Sequence, residues 1–110
     1  MALDVNGTSV EVTEEGYLVD ASAWTEDFAK AVAVVDSIEF TDQHMDIINY
    51  LRAEHVKGEE PNERTIIKAM KNVWGKKPTS KIMYNLFPGT PSKQGRKLAG
   101  LPKSNRKGGY

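Results

Sequence analysis

Apolar and polar residues alternate at the start of the chain. In Leu3–Val12 (LDVNGTSVEV), valines alternate with polar residues, and Asn6-Gly7 lies near the middle. Asn and Gly both tolerate positive φ at the centre of a two-residue turn, so this segment predicts an antiparallel hairpin. A Glu-Gly turn then leads into Tyr17–Val19, which we predict as a third strand. The resulting small antiparallel meander needs other elements to cover its apolar face.

Further along the chain, apolar residues recur at the three- and four-residue spacing of amphipathic helices. Four or five helices are predicted, each bounded by residues that cap, start or stop helices. They run from Asp20 or Ser22 to about Asp36, from Thr41 to Gly58, from Pro61-Asn62 to Gly75, from Ser80 to Phe87, and from Thr90-Pro91 to Gly100. These helices provide the cover that the meander needs.

The second and third predicted helices form a helix-turn-helix-like pair, because only the short turn between Gly58 and Pro61 separates them. In the third helix, Arg64, Lys68 and Lys71 follow i, i+4, i+7 spacing and make one basic face opposite the apolar residues. A basic helix in such a pair suits nucleic-acid phosphates, so DNA binding is one interpretation. The other is a solvated cationic face, since helix pairs of this kind are frequent in proteins that never bind DNA.

Charge is strongly separated along the chain, although 15 basic and 15 acidic residues cancel in total. Residues 1–63 hold all 15 acidic residues and three basic ones, a net charge of −12, and residues 64–110 hold 12 basic residues and no acidic one, a net charge of +12. Either the basic part binds an anionic partner, or the two parts attract each other within one fold. We predict a single domain over residues 1–102 and a flexible basic arm over residues 103–110.

The residue types present exclude several kinds of chemistry. The 110 residues contain no cysteine, hence no disulfide, thiolate metal site or cysteine nucleophile. His44 and His55 would lie about 16 Å apart on one helix, at about 1.5 Å per residue, which is too far to share a metal ion. No serine has a credible histidine and acid partner. We therefore expect no metal and no cofactor, and we favour a protein that is not an enzyme on its own.

The sequence also carries no membrane or secretion signal. No apolar run reaches the roughly 18 residues of a spanning helix. MALDVNG at the start lacks a basic n-region and an apolar h-region. We expect a cytoplasmic protein.

Four segments, in order, carry a family resemblance: EEGYLVD at 14–20, HMDIINYLR at 44–52, PNERTIIKAM at 61–70 and LFPGTPSKQGRKLAGLPK at 86–103. They are similar to the EGYL, HWEVINFLR, PAIRMLTKA and LFPYGPAKQACKIAGLPK stretches of the DsrC/TusE family, which includes the gamma subunit of dissimilatory sulfite reductase. The resemblance covers nearly the whole chain. It implies an α+β fold with a small N-terminal antiparallel β-meander packed on about five helices, including the helix-turn-helix-like pair, and a flexible C-terminal arm.

The resemblance also implies a sulfur-carrying function whose key residues are replaced here. Family members carry sulfur on a cysteine of the arm, and dissimilatory members have a second cysteine in the KQAC motif. The KQAC position is Arg96, and the arm position is Lys107 when counted from Pro102 or Gly109 when counted back from the terminus. None of these can hold a sulfane sulfur, because that chemistry needs a thiolate. We therefore predict no catalytic residue.

Two further basic residues match family positions. Arg64 and Lys93 correspond to residues that help form a cationic pocket near the arm, and Arg96 adds a charge beside Lys93. The resemblance thus implies an anion- or partner-binding site at these three residues, for sulfite, sulfate or a phosphate. The alternative is that they pair with the acidic half of the chain.

Three functions follow as hypotheses. The favoured one is a cysteine-less DsrC/TusE-like protein that acts as a non-catalytic binding or regulatory partner in sulfur metabolism, with a protein partner of the sulfite reductase or sulfur-relay type. One alternative is a DNA-binding regulator that uses the Arg64, Lys68 and Lys71 face. The other is a sulfur carrier or sulfurtransferase whose arm cysteine was substituted by engineering.

Overall fold

A two-stranded antiparallel hairpin opens the chain in the computed structural model, which describes residues 1–103. Strand β1 (Ala2–Val5) pairs with β2 (Thr8–Glu11), with Val5 opposite Thr8 at the turn. Asn6 and Gly7 make that turn with φ of 51° and 85°. These are the positive values that the Asn-Gly pair favours, so the predicted hairpin is confirmed.

The predicted third strand is wrong. Beyond the hairpin, a single bridge joins Val12 to Leu18, and the Val19 N–H donates to the Glu11 carbonyl at 3.2 Å. The predicted strand, Tyr17–Val19, is confined to three residues, because a tight turn precedes it and a 3-10 turn begins directly after Asp20. Three residues are too few to extend the pairing of the hairpin. The meander therefore consists of two strands and one isolated bridge.

Five α-helices follow within the described residues. They are α1 (Glu26–Val35), α2 (Asp42–Val56), α3 (Glu63–Trp74), α4 (Ser80–Leu86) and α5 (Pro91–Leu98). The last four begin and end within two residues of the predicted positions. For α3 the physical reasons are visible at both ends: the Asn62 side chain accepts from the Thr65 N–H, and Gly75 ends the helix with φ of 72°.

The first predicted helix is wrong at its beginning. Asp20 caps only a short 3-10 turn over Ala21–Ala23, and the chain is extended at Trp24. The helix α1 begins after Thr25, whose side chain accepts from the Phe28 N–H at 3.1 Å. The long helix is therefore capped by Thr25, three to five residues after the predicted start at Ser22 or Asp20.

The core lies between the hairpin and the five helices, and α5 is central because it packs against α1, α2, α3 and α4. The largest fully buried side chains include Phe28, Ile47, Ile48, Leu51, Ile66, Met70, Met83, Phe87 and Leu98. Two valines at the apolar helix spacing of α1 and α3 are nevertheless exposed: Val35 is 65% exposed and Val73 is 56% exposed. Both lie in the last turn of their helix.

Among residues 1–103, three ion pairs join the acidic and basic halves of the chain. They are Lys97 with Asp36 at 2.9 Å, Arg96 with Glu60 at 3.7 Å, and Lys103 with Glu15 at 2.8 Å. Attraction between the halves therefore accounts for these three cations. Within residues 1–103, no helix is both long and apolar enough to cross a membrane.

Candidate functional site

Arg96 is buried at the centre of the molecule's C-terminal region, with 3% of its surface exposed. Its Nε donates to the Pro102 carbonyl at 3.0 Å, and its Nη2 lies 3.7 Å from Oε1 of Glu60. The Leu101 N–H in turn donates to the Arg96 carbonyl at 3.0 Å. The guanidinium therefore holds the segment that follows α5 against the body of the protein.

The close approach of α5 to α2 brings Arg96 into this position. Gly95, the preceding residue, faces α2, where a Cβ atom would lie only 2.8 Å from Cδ1 of Leu51. The absence of a side chain at Gly95 lets the two helices approach, and α5 is consequently enclosed on several sides. The side chain of Arg96, the next residue, is buried as a result.

Lys97, one residue further on, crosses the turn at Gly16. Its Nζ lies 2.9 and 3.1 Å from the two carboxylate oxygens of Asp36. Gly16 has φ of 91°, and a Cβ atom there would lie 2.6 Å from Cε of Lys97. Beside it, Lys103 is paired with Glu15. The EEGYL turn and the KQGRK segment, which are far apart in sequence, are thus neighbours.

Trp24 and Arg52 also contact the end of α5, and the sequence analysis assigned neither to the site. The Trp24 indole Nε1 donates to the Leu98 carbonyl at 2.9 Å, and Arg52 Nη1 donates to the Ala99 carbonyl at 2.7 Å. Trp24 precedes α1 and Arg52 lies in α2, so only the folded structure shows that both bind carbonyls at the end of α5. Arg52 lies within the quoted HMDIINYLR segment, which was the one sequence signal available.

The three residues predicted as an anion- or partner-binding site lie in different environments. Arg96 is buried against Glu60, Lys93 is half-buried in the first turn of α5, and Arg64 is exposed on α3. An anion site made by the three together stays a prediction. The arm positions Lys107 and Gly109 lie outside the described residues.

The predicted basic face of α3 borders a groove. Arg64, Lys68 and Lys71 of α3 line a cavity of about 760 Å³, and so does Lys77, in the segment that leads to α4. The spacing along α3 predicts the first three cations as one face; a nucleic-acid role for that face stays a prediction. The contribution of Lys77 depends on how the connection after α3 folds back, which the spacing does not specify.

His44 is a structural residue of the helix start. Its Nδ1 accepts from the Thr41 N–H at 3.0 Å, so Nε2 carries the proton and donates to the Leu86 carbonyl at 2.7 Å. The ring stacks on Phe40 and meets Phe87 edge-on. Burial lowers the pKa of His44, and the hydrogen bond to Leu86 opposes this only in part. Within residues 1–103 no group of three or more His, Asp or Glu side chains is arranged to hold a metal ion.

A family model described as "DsrC like protein" matches residues 4–106, which is nearly the whole chain. The chain belongs to the DsrC-like family. The DsrC-like chain is 42% identical over 103 residues to a sulfurtransferase TusE homolog of Haemophilus influenzae, an alignment that covers 92% of this chain and 94% of the relative. It is 36% identical over 99 residues to the sulfurtransferase TusE of Escherichia coli, covering 88% and 91% of the two chains.

Solved structures show the same fold for DsrC proteins. The DsrC of Allochromatium vinosum has a TM-score of 0.85 and 39% sequence identity, and the comparison covers 97% of this chain and 99% of that one. The oxidized gamma-subunit of the dissimilatory sulfite reductase of Archaeoglobus fulgidus has a TM-score of 0.86 and 33% identity over the same shares. The α+β fold expected from the quoted motifs is therefore confirmed for this DsrC-like chain.

Proposed function

We propose that this DsrC-like protein is a non-catalytic docking or regulatory partner in sulfur metabolism, which binds a protein of the sulfite reductase or sulfur-relay type without transferring sulfur. The observation that carries the proposal is that no thiol stands at either family cysteine position: Arg96 occupies the KQAC position, and Lys107 or Gly109 the arm position. At the KQAC position implied by the resemblance stands a buried guanidinium that bonds to the Pro102 carbonyl and pairs with Glu60.

The chemistry at this position supports binding over transfer. Sulfur relay requires a thiolate that attacks a sulfane sulfur and afterwards carries it. A guanidinium stays protonated and has no lone pair to offer as a nucleophile. The 110 residues contain no cysteine at any other position. The fold that presents the family's motifs is retained, whereas the KQAC cysteine is replaced by a guanidinium that bonds to the Pro102 carbonyl and the arm cysteine is replaced by Lys107 or Gly109.

The relatives support a protein as the partner. The Archaeoglobus fulgidus protein is described as a gamma-subunit of dissimilatory sulfite reductase, and the Haemophilus influenzae and Escherichia coli relatives are described as sulfurtransferases or their homologs. None of the relatives and structures named above is described as a DNA-binding protein. The Arg64, Lys68 and Lys71 face is therefore not proposed as a DNA-binding site.

The test combines binding with sulfur transfer. The purified protein is immobilised and exposed separately to purified dissimilatory sulfite reductase, to sulfurtransferases and to thiolation enzymes. Each mixture is then supplied with a ³⁵S-persulfide donor. We expect stable capture of at least one of these proteins and no label on this chain. Capture of none, or label on the unaltered chain, would overturn the proposal.

Three cysteine variants serve as matched comparisons. Lys107→Cys and Gly109→Cys each add a thiol at one of the two arm positions, and Lys76→Cys adds one at an exposed position elsewhere. Label on an arm variant but not on Lys76→Cys identifies the missing thiol as the reason that the chain does not carry sulfur. Sequencing the native gene tests the engineered alternative, since a cysteine codon at position 96, 107 or 109 would restore the carrier function. The expected cytoplasmic location is checked by cell fractionation.

A further inference from the structure

The groove beside α3 collects four cations in one concave surface. Arg64, Lys68 and Lys71 line it from α3, and Lys77 lines it from the segment before α4. Its remaining lining is formed by neutral residues: Ile67, Pro78, Thr79 and Ser80. We call this surface the α3 groove. With a volume of about 760 Å³, it is large enough for several side chains of another protein.

The charge of the α3 groove is not neutralised from within the described part of the chain. No Asp or Glu among residues 1–103 lies within ion-pair distance of its four cations, whereas Arg96, Lys97 and Lys103 each have such a partner. The folded protein therefore uses part of its basic half internally and leaves this part facing solvent. Four like charges along one groove repel each other, and a polyanionic partner relieves that repulsion.

The lining favours a peptide over a row of phosphates. Ile67 and Pro78 are both buried and give the groove an apolar surface, against which an apolar side chain can pack. The groove continues past Arg64 into a second cavity of about 490 Å³ that Glu63 and Asn62 also line. The Glu63 carboxylate repels any anion placed in this second cavity. A duplex carries a phosphate at every nucleotide, whereas a peptide can place neutral residues there and let its N–H groups donate to Glu63.

We propose that the α3 groove docks an acidic segment of a partner protein, with carboxylates paired to the four cations and an apolar side chain against Ile67 and Pro78. This inference rests on the proposed function and specifies the chemistry of the partner. Electrostatic complementarity of this kind speeds association and selects the partner, and added salt weakens it.

Fluorescence anisotropy with three labelled probes tests the inference. The probes are a 12-residue peptide of alternating Glu and Leu, the same peptide with Gln in place of Glu, and a 12-base-pair DNA duplex. We expect the Glu-Leu peptide to bind most tightly and to lose affinity as salt rises. Tighter binding of the duplex, or equal binding of the Gln peptide, would overturn the proposed occupant.

Two neighbouring lysines provide a matched pair of variants. Lys77 lines the groove, whereas Lys76, which is equally exposed at the surface, is not among its lining residues. We expect Lys77→Glu to weaken peptide binding several-fold and the double change Lys68→Glu with Lys71→Glu to weaken it about tenfold or more. We expect Lys76→Glu to change it less than twofold. Equal effects of Lys76→Glu and Lys77→Glu would show that the peptide is held by general charge attraction, and would overturn the proposal that it binds in the α3 groove.

The same variants separate this inference from the proposed function. If the unaltered protein captures a sulfite reductase or sulfur-relay protein and the Lys68, Lys71 double variant captures it equally well, the docking function stands and the groove inference fails. If the unaltered protein captures none of them, the docking function fails, and the peptide measurements still decide whether the groove binds acidic segments. Circular dichroism of each variant confirms that it is folded.

Discussion

The guanidinium of Arg52 lies over the ring of Trp24, 4.1 Å from the ring centre. Each side chain also donates to one of two consecutive carbonyls, Trp24 to Leu98 and Arg52 to Ala99. These carbonyls belong to the C-terminal end of α5, where a helix runs out of its own N–H donors. Two residues from distant parts of the chain thus cap α5 and hold its C-terminal end in place.

Removing either side chain of this pair will destabilise the protein. Trp24→Phe keeps an aromatic ring but leaves the Leu98 carbonyl without its donor, and we expect a loss of about 1–3 kcal/mol. Arg52→Met removes the donor to Ala99 and the cation over the ring, with a loss of similar size. Urea unfolding measures both, and the double variant should cost less than the sum because the residues contact each other. Additive losses would contradict the coupling.

Arg96 will be the most sensitive cation of α5. Arg96→Ala removes the donor to the Pro102 carbonyl and the ion pair with Glu60, so we expect a loss of about 3 kcal/mol. Arg96→Lys should recover only part of it, because an ammonium cannot reach both partners with the geometry of a guanidinium. The control is Lys93→Ala on the same helix, which should change the free energy of unfolding by less than about 1 kcal/mol. Equal losses at 93 and 96 would contradict the tethering role.

His44 makes stability depend on pH. Burial lowers its pKa from the ordinary value of 6.5, so the folded protein resists protonation while the unfolded chain does not. The contribution to stability is therefore complete above pH 6.5 and declines as the pH falls from 6.5 toward the lowered folded pKa. Protonated Nδ1 also loses its capacity to accept from the Thr41 N–H. Urea midpoints between pH 8 and 5.5 should fall for the unaltered protein and stay flatter for His44→Gln; parallel curves would exclude His44 as the cause.

Alanine substitutions at Gly16 and Gly7 separate the cost of a strained backbone from the cost of displacing a neighbouring side chain. Both have positive φ, 91° and 85°, but only at Gly16 does a Cβ atom meet a neighbour, Cε of Lys97 at 2.6 Å. We expect Gly7→Ala to cost about 1 kcal/mol from the backbone alone. Gly16→Ala should cost up to about 1 kcal/mol more, because the end of the Lys97 side chain must shift and its pair with Asp36 is weakened. This extra loss should vanish in a Lys97→Ala background, and its persistence there would contradict the displacement.

Local sequence signals determined most of the secondary structure. The Asn6-Gly7 turn and the ends of α3 at Asn62 and Gly75 were predictable, because each depends on the conformational preference of one or two residues. The limits of local reasoning appear at Asp20 and Thr25. Both cap a helical segment, but the 3-10 turn after Asp20 stops at Trp24, where the chain is extended, so the long helix starts only at Thr25.

The sequence by itself also determined the family resemblance, the charge separation and the cysteine-free composition. Tertiary structure alone decided which cations are used internally and which face solvent. Lys97 and Arg96 find carboxylates because α5 is enclosed by the rest of the fold, whereas Arg64 and Lys77 line a groove that has no carboxylate in its lining. Ion pairing depends on distances of a few ångströms between residues that are dozens of positions apart, and these distances exist only once the core has formed.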